Sequence, residues 1–256
     1  MRWQRGVPIG LGLMAAGLVA LLLAEIVLAS RGQREPFENP SRAPRELGQT
    51  GPELTYVVLG DSTSAGQGGE YERGIAISTA RHLAARGRRV RLVNLSVAGA
   101  QAEAVAMEQL QAAMRLRPDV VLVSVGANDV VRLSGRRTVR AAMGSIVDGL
   151  VTARCEVKIV ITGAPDMGAT PRFAQPLRWI AGARTKQLNQ VFDLVVAERA
   201  LTLAPIADVT GPLFRRDRTL FAADRFHPSD RGYGAWTPVL TRSLDAALAA
   251  QPSHCG

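Results

Sequence analysis

Five residues of this chain have the types and spacing to do chemistry together: Ser62, Gly99, Asn128, Asp224 and His227. Ser62 follows Gly60-Asp61 at the end of an apolar run, with Gly66 four residues beyond it. A hydroxyl is a weak nucleophile until a neighbouring base takes its proton. The chain holds three histidines, of which His82 falls in a helix-like stretch and His254 in the carboxyl-terminal tail. His227, in a loop, is the well-placed base. Asp224, three residues earlier, can accept the proton on its ring nitrogen Nδ1, fixing the tautomer and stabilising the imidazolium. Attack on a carbonyl builds negative charge on its oxygen, and that charge needs donors aimed at it. The amides of Ser62 and Gly99 and the side-chain amide of Asn128 can supply three. No C-x-x-C or Cys/His spacing points to a metal, and no cofactor is implied.

For these residues to meet, the fold must bring distant strand ends to one edge. Apolar runs at 54–59, 90–95, 119–125, 157–162 and 201–206 read as strands. The run 119–125 is apolar nearly throughout, as a strand buried on both faces should be. Between them, 75–86, 102–116, 138–153 and 177–199 read as helices, and a last helix runs from about Tyr233 to Ala249 with Ser229 as its N-cap. Residues 166–175 read as an irregular loop, and an Arg- and Asp-rich loop leads to Asp224. Met167, Phe173, Leu177 and Trp179 either line an acyl pocket or join the core. Alternating strands and helices imply right-handed βαβ units and a parallel five-stranded sheet covered on both faces. Ser62, Gly99 and Asn128 then follow successive strands, at the edge where such sheets build their sites.

Taken in order, Gly60-Asp61-Ser62 with Gly66, then Gly99, then Gly126-Ala127-Asn128-Asp129, then Asp224-Arg225-Phe226-His227 resemble the four blocks of the SGNH hydrolases, the GDSL esterases and lipases. The resemblance covers residues 54 to about 240. It implies a flavodoxin-like three-layer α/β/α sandwich, Ser62 as nucleophile, Gly99 and Asn128 as oxyanion donors, and His227 with Asp224 as the base. The expected activity is hydrolysis of carboxylic esters or thioesters, of a small molecule or a lipid, through an acyl-enzyme. The alternative is acyl transfer to, or deacetylation of, an envelope polysaccharide. A non-catalytic binding module on the same fold is disfavoured, because every reactive group is present. Ser62 is not in a Gly-x-Ser-x-Gly elbow, which disfavours the α/β-hydrolase reading. Thr63 stands where the family often has Leu; it touches no reacting atom and bears on packing below the turn. Asp61 and Asp129 read as braces of their loops rather than reacting groups.

The remaining features set the context. The net charge of +9 comes almost wholly from scattered Arg, with Lys158 and Lys186 the two lysines. No aromatic-interleaved basic stripe accompanies them, so nucleic acid is not an expected partner. Residues 1–30 carry an apolar stretch, 7–29, interrupted by Glu25 and preceded by Arg2 and Arg5. This is long enough to cross a bilayer, which takes about 20 residues. Two readings stay open: an uncleaved transmembrane signal anchor, which the length favours, and a cleaved signal peptide, for which 27–29 offers a small-residue site. Either places the domain outside the cytoplasm, membrane-anchored or secreted, although the arginines after the stretch argue weakly the other way. Residues 31–53, with four prolines, read as a linker; 54–250 form the hydrolase domain and 251–256 a tail. Cys155 and Cys255 are either paired or free.

Overall fold

The computed structural model describes residues 14, 17, 19–28, 31, 36–251 and 255. Its centre is a six-stranded sheet in the order β1-β3-β2-β4-β5-β6. The strands are β1 (Arg45–Leu47), β2 (Glu53–Gly60), β3 (Arg89–Asn94), β4 (Val120–Ser124), β5 (Lys158–Ile161) and β6 (Thr202–Leu203). From β3 to β6 all pairings are parallel. The order β3-β2-β4-β5-β6 is the flavodoxin-like 2-1-3-4-5 of a doubly wound sheet, whose strand order reverses between β2 and β4.

The expectation of a purely parallel, five-stranded sheet needs correcting. A sixth strand, β1, comes from the stretch read as linker and runs antiparallel to β3, with Arg45 opposite Leu92 and Leu47 opposite Val90. Its proline- and charge-rich surroundings hide it. Arg45 and Glu46 are exposed, as residues of a short edge strand can be, while Leu47 packs on the core.

Alternation along the inner strands divides the apolar side chains between two layers. Val57, Leu59, Val121 and Val123 face one core, and Tyr56, Val58, Val120 and Leu122 face the other. The first core is covered by the 102–116 segment, by α6 (Arg136–Ala153) and by α7 (Leu177–Glu198). The second is covered by α2 (Ile75–Ala85), α8 (Ile206–Arg216) and α9 (Asp230–Ala249). Two further short helices, α1 (Ser62–Ala65) and α5 (Ala127–Val131), start at the ends of β2 and β4.

Two helical segments differ from expectation. The 102–116 helix is interrupted: α3 (Ala102–Ala104) passes through a π turn, Val105–Gln109, into α4 (Leu110–Leu116). And α8 lies where a loop was expected, because Pro212 and its charges mask the pattern. Ile206, Thr210 and Phe214, four residues apart, are all buried and mark its inner face.

The transmembrane reading of 7–29 finds no support. Within that stretch residues 14, 17 and 19–28 are described and helical. Glu25 is buried, its carboxylate accepting the Leu177 amide at 2.9 Å at the start of α7. Among the described residues no helix is long and apolar enough to cross a membrane. The rest of the stretch lies outside the described residues. Cys155 and Cys255 are joined as a disulfide.

Candidate active site

The site begins with β2. Gly60 ends the strand at φ +149, where a Cβ would lie 1.9 Å from the Ser124 carbonyl oxygen, so only glycine lets β2 and β4 approach this closely. The chain then turns sharply into α1. Asp61 caps that helix: its Oδ1 accepts the Thr63 amide at 2.9 Å and the Thr63 hydroxyl at 2.8 Å. Thr63 therefore does more than pack below the turn. Burial pushes the Asp61 carboxyl up to about 6; the two Thr63 bonds and the nearby His227 pull the other way, and Asp129 adds to the rise.

Ser62 is the first residue of α1, and its amide has no carbonyl one turn back to bond. Its Oγ lies 2.9 Å from His227 Nε2, across 165 positions of sequence. Behind the imidazole, His227 Nδ1 meets Asp224 Oδ2 at 2.5 Å. A carboxylate can only accept, so Nδ1 carries the proton and Nε2 is left to accept from the Ser62 hydroxyl. Asp224 Oδ1 also accepts the amides of Phe226 and His227, at 2.9 and 3.0 Å. Burial alone would raise the Asp224 pKa. The bond from His227 and the two amides outweigh it and hold the carboxyl below its ordinary value, so it stays ionised. Both side chains of the pair are about nine-tenths buried, at 10 % exposure each.

Gly99 and Asn128 come to the same edge. Gly99 sits at φ +82 in the turn after β3. Asn128 opens α5 after β4, and its Nδ2 donates to the Ala100 carbonyl at 3.0 Å, tying α5 to the Gly99 turn. One of its two N–H groups is used there and the other remains for a ligand. Asp129, beside it, braces the same junction: its Oδ2 accepts the Ala102 amide at 3.0 Å. Burial raises its pKa, against the Ser134 and Ala102 bonds. His82 is occupied elsewhere, with Asp245 at 2.9 Å.

The apolar residues after β5 separate. Met167 and Phe173 are buried in the first core and Leu177 packs on it, but Trp179 is 75 % exposed. A pocket lined by Thr63, Met167, Phe214, Phe226 and Trp236 lies against His227. Phe226 stacks edge-on between the imidazole, at 5.0 Å, and Phe173, at 6.0 Å. Phe226 thus supports the ring plane as well as filling the loop.

One contributor escaped the sequence reading. Gln109, in the π turn, is 1 % exposed and grips Gly60 twice: the Gly60 amide donates to Oε1 at 2.9 Å and Nε2 donates to the Gly60 carbonyl at 2.8 Å. The signal was present, since Val105, Gln109 and Ala113 share one buried face at spacing four and Gln109 is the polar member. A π turn widens the helix by one residue and re-aims a side chain, which here clamps the residue two before Ser62.

Residues 58–235 match the GDSL-like Lipase/Acylhydrolase family. The GDSL-like esterase Rv1075c of Mycobacterium tuberculosis is 29% identical over 218 residues, covering 80% of this chain and 68% of that protein. Solved structures share the fold, two of them as follows. The lipase/acylhydrolase from Enterococcus faecalis superposes with a TM-score of 0.61 at 22% identity, over 79% of this chain and 100% of that one. A Clostridium thermocellum family 3 carbohydrate esterase gives a TM-score of 0.60 at 18% identity, over 77% of this chain and 98% of that one.

Proposed function

This chain belongs to the GDSL-like lipase/acylhydrolase family of esterase-type hydrolases, and from that premise we propose that it cleaves carboxylic esters or thioesters through an acyl-enzyme on Ser62. The observation that carries the proposal is the Ser62 Oγ to His227 Nε2 contact of 2.9 Å, with Asp224 fixing the proton on the far ring nitrogen. His227 takes the hydroxyl proton as Ser62 attacks the acyl carbon. The tetrahedral oxyanion receives the amides of Ser62 and Gly99 and the free N–H of Asn128. His227, now protonated, returns its proton to the departing alkoxide or thiolate. A water then repeats the sequence on the acyl-enzyme, with His227 again as base and Ser62 as leaving group.

The domain, on this reading, works outside the cytoplasm. The Cys155–Cys255 disulfide supports this, since such bonds persist in oxidising compartments. The test of the activity is a purified chain offered nitrophenyl esters and thioesters of graded acyl length, alongside a fluorophosphonate probe. Hydrolysis and covalent labelling that both vanish in Ser62→Ala are expected. Undiminished turnover in that variant refutes the assignment.

A further inference from the structure

Arg132 is a cation at the proposed oxyanion site that the mechanism above does not use. It stands four residues after Asn128 and closes α5, its backbone amide donating to the Asn128 carbonyl at 2.8 Å. Residues i and i+4 share one helix face, so its side chain rises on the same face as the Asn128 amide. The guanidinium then reaches over the Gly99 turn. An ideal Cβ built on Gly99 meets a single neighbour within 4 Å, the Arg132 Nη2, at 3.7 Å. The space above Gly99 is otherwise open, and Arg132 forms its wall.

Two observations separate this arginine from the many on the surface. First, it is held. Nη1 donates to Gln101 Oε1 at 3.3 Å, and the Gln101 amide is fixed in turn by Nε2 donating to Ser134 Oγ at 2.7 Å. Second, its charge is not neutralised at contact range. Among the described residues no carboxylate oxygen lies within 4.0 Å of it. Asp129 feels its charge, but that carboxylate is buried and turned to the Ala102 amide. The helix cap is made by the Arg132 backbone, so capping leaves the guanidinium uncommitted. An exposed guanidinium fork with unused N–H groups beside a reacting carbonyl is a receptor for an oxyanion.

We propose that Arg132 selects esters whose acyl part carries an anionic group a few bonds from the scissile carbonyl. The inference rests on the Ser62 reading and adds a substrate class to it. The substrate's carboxylate or similar oxyanion pairs with Nη2 while the carbonyl oxygen lies against Gly99 and Asn128. A neutral acyl chain of the same length leaves Arg132 solvated and forgoes the pair.

The experiment compares two probes of matched length, 4-nitrophenyl butyrate and mono-4-nitrophenyl succinate, on the full chain and on Arg132→Gln and Arg132→Lys. The quantity read is the ratio of kcat/KM for the anionic over the neutral ester. A charge-assisted hydrogen bond to an exposed guanidinium makes a fall of this ratio of up to about fivefold the expected order of effect in Arg132→Gln, about 1 kcal/mol. Arg132→Lys keeps the charge and is expected to hold the ratio within about threefold of the parent. Added salt lowers the ratio in the parent and leaves it flat in Arg132→Gln. A ratio unchanged in Arg132→Gln overturns the inference, including when both esters slow alike. If Ser62→Ala still hydrolyses the neutral ester, it is the nucleophile assignment that has failed. If that variant is inert and the ratio is nonetheless insensitive to Arg132, only the anionic-substrate inference falls.

Discussion

Asp61 offers the sharpest test of the site's energetics, because it is a fully buried carboxyl held between opposing effects. Its ordinary value of 3.8 is raised to about 6 in the folded chain, chiefly by burial. Between those two pH values the folded state binds a proton that the unfolded state has released. Stability therefore falls as pH rises through this window, by about 1.36 kcal/mol per pH unit. Across about 2.2 units the wild-type chain loses about 3 kcal/mol between pH 3.8 and pH 6, and stays at that lower level above it. The substitution Asp61→Asn keeps an oxygen to accept both Thr63 donors, at 2.9 and 2.8 Å, and removes the charge. The variant should match the parent in urea melts near pH 4. By pH 8 it should be more stable by about 2–3 kcal/mol, which for a chain of this size raises Tm by roughly 4–10 °C. Its ester hydrolysis should fall, since the attraction between Asp61 and a protonated His227 is lost. A stability difference that stays flat from pH 4 to pH 8 would show that the carboxylate is well solvated or compensated, and would refute this account of the turn.

Other perturbations have outcomes fixed by single contacts. Asp224→Asn should cut kcat by 10²–10⁴-fold, roughly, while circular dichroism stays native, because an amide can present the wrong partner to Nδ1 and favour the wrong tautomer. Gln109→Met fills the same volume but strands the amide of Gly60, whose carbonyl keeps the Val97 amide at 3.1 Å, and should cost about 1–3 kcal/mol in a denaturant melt. In Gln109→Glu the ionised carboxylate can only accept the Gly60 amide, whereas the protonated carboxyl can make both Gly60 bonds, so its stability in urea melts should recover on acidification while that of Gln109→Met does not. Cys255→Ser opens a loop spanning 100 positions and should lower stability by several kcal/mol, up to about 5 on chain-entropy grounds. The parent treated with reductant should show the same loss.

What could be read from the chain alone follows from how each signal is built. The inner strands were legible because burial on both faces leaves continuous apolar runs, as in Val120–Ser124. The edge was not, because β1 satisfies one neighbour, shows Arg45 and Glu46 to solvent and sits among prolines and glycines. The helix α8 was obscured by local composition, Pro212 and its charges, while its inner spacing of four, Ile206, Thr210 and Phe214, carried the real signal. In both cases tertiary packing decided what propensity did not.

The same distinction runs through the site. Ser62, Asp224 and His227 could be named because their chemistry restricts residue type: few side chains can be nucleophile, base or tautomer lock. Strand order puts the ends of β2 and β4, and so Ser62 and Asn128, side by side at the reversal point of the sheet, whereas His227 reaches Ser62 because the loop before α9 closes on the turn after α1, where a Cβ on Gly68 would lie 2.7 Å from His227 Cβ. Gln109 and Arg132 had no such restriction. Each is a common residue on a helix, and each acquires its place from backbone geometry, a π turn in one case and the i to i+4 step from Asn128 in the other. A composition argument therefore finds the groups that react, whereas the groups that hold or select are found by asking which polar atoms of the glycine turns are satisfied, and by what. Gly60 is answered by Gln109 on both its polar atoms. At Gly99 the neighbouring cation, Arg132, has no carboxylate within 4.0 Å among the described residues, and that open place is what the proposal of an anionic substrate rests on.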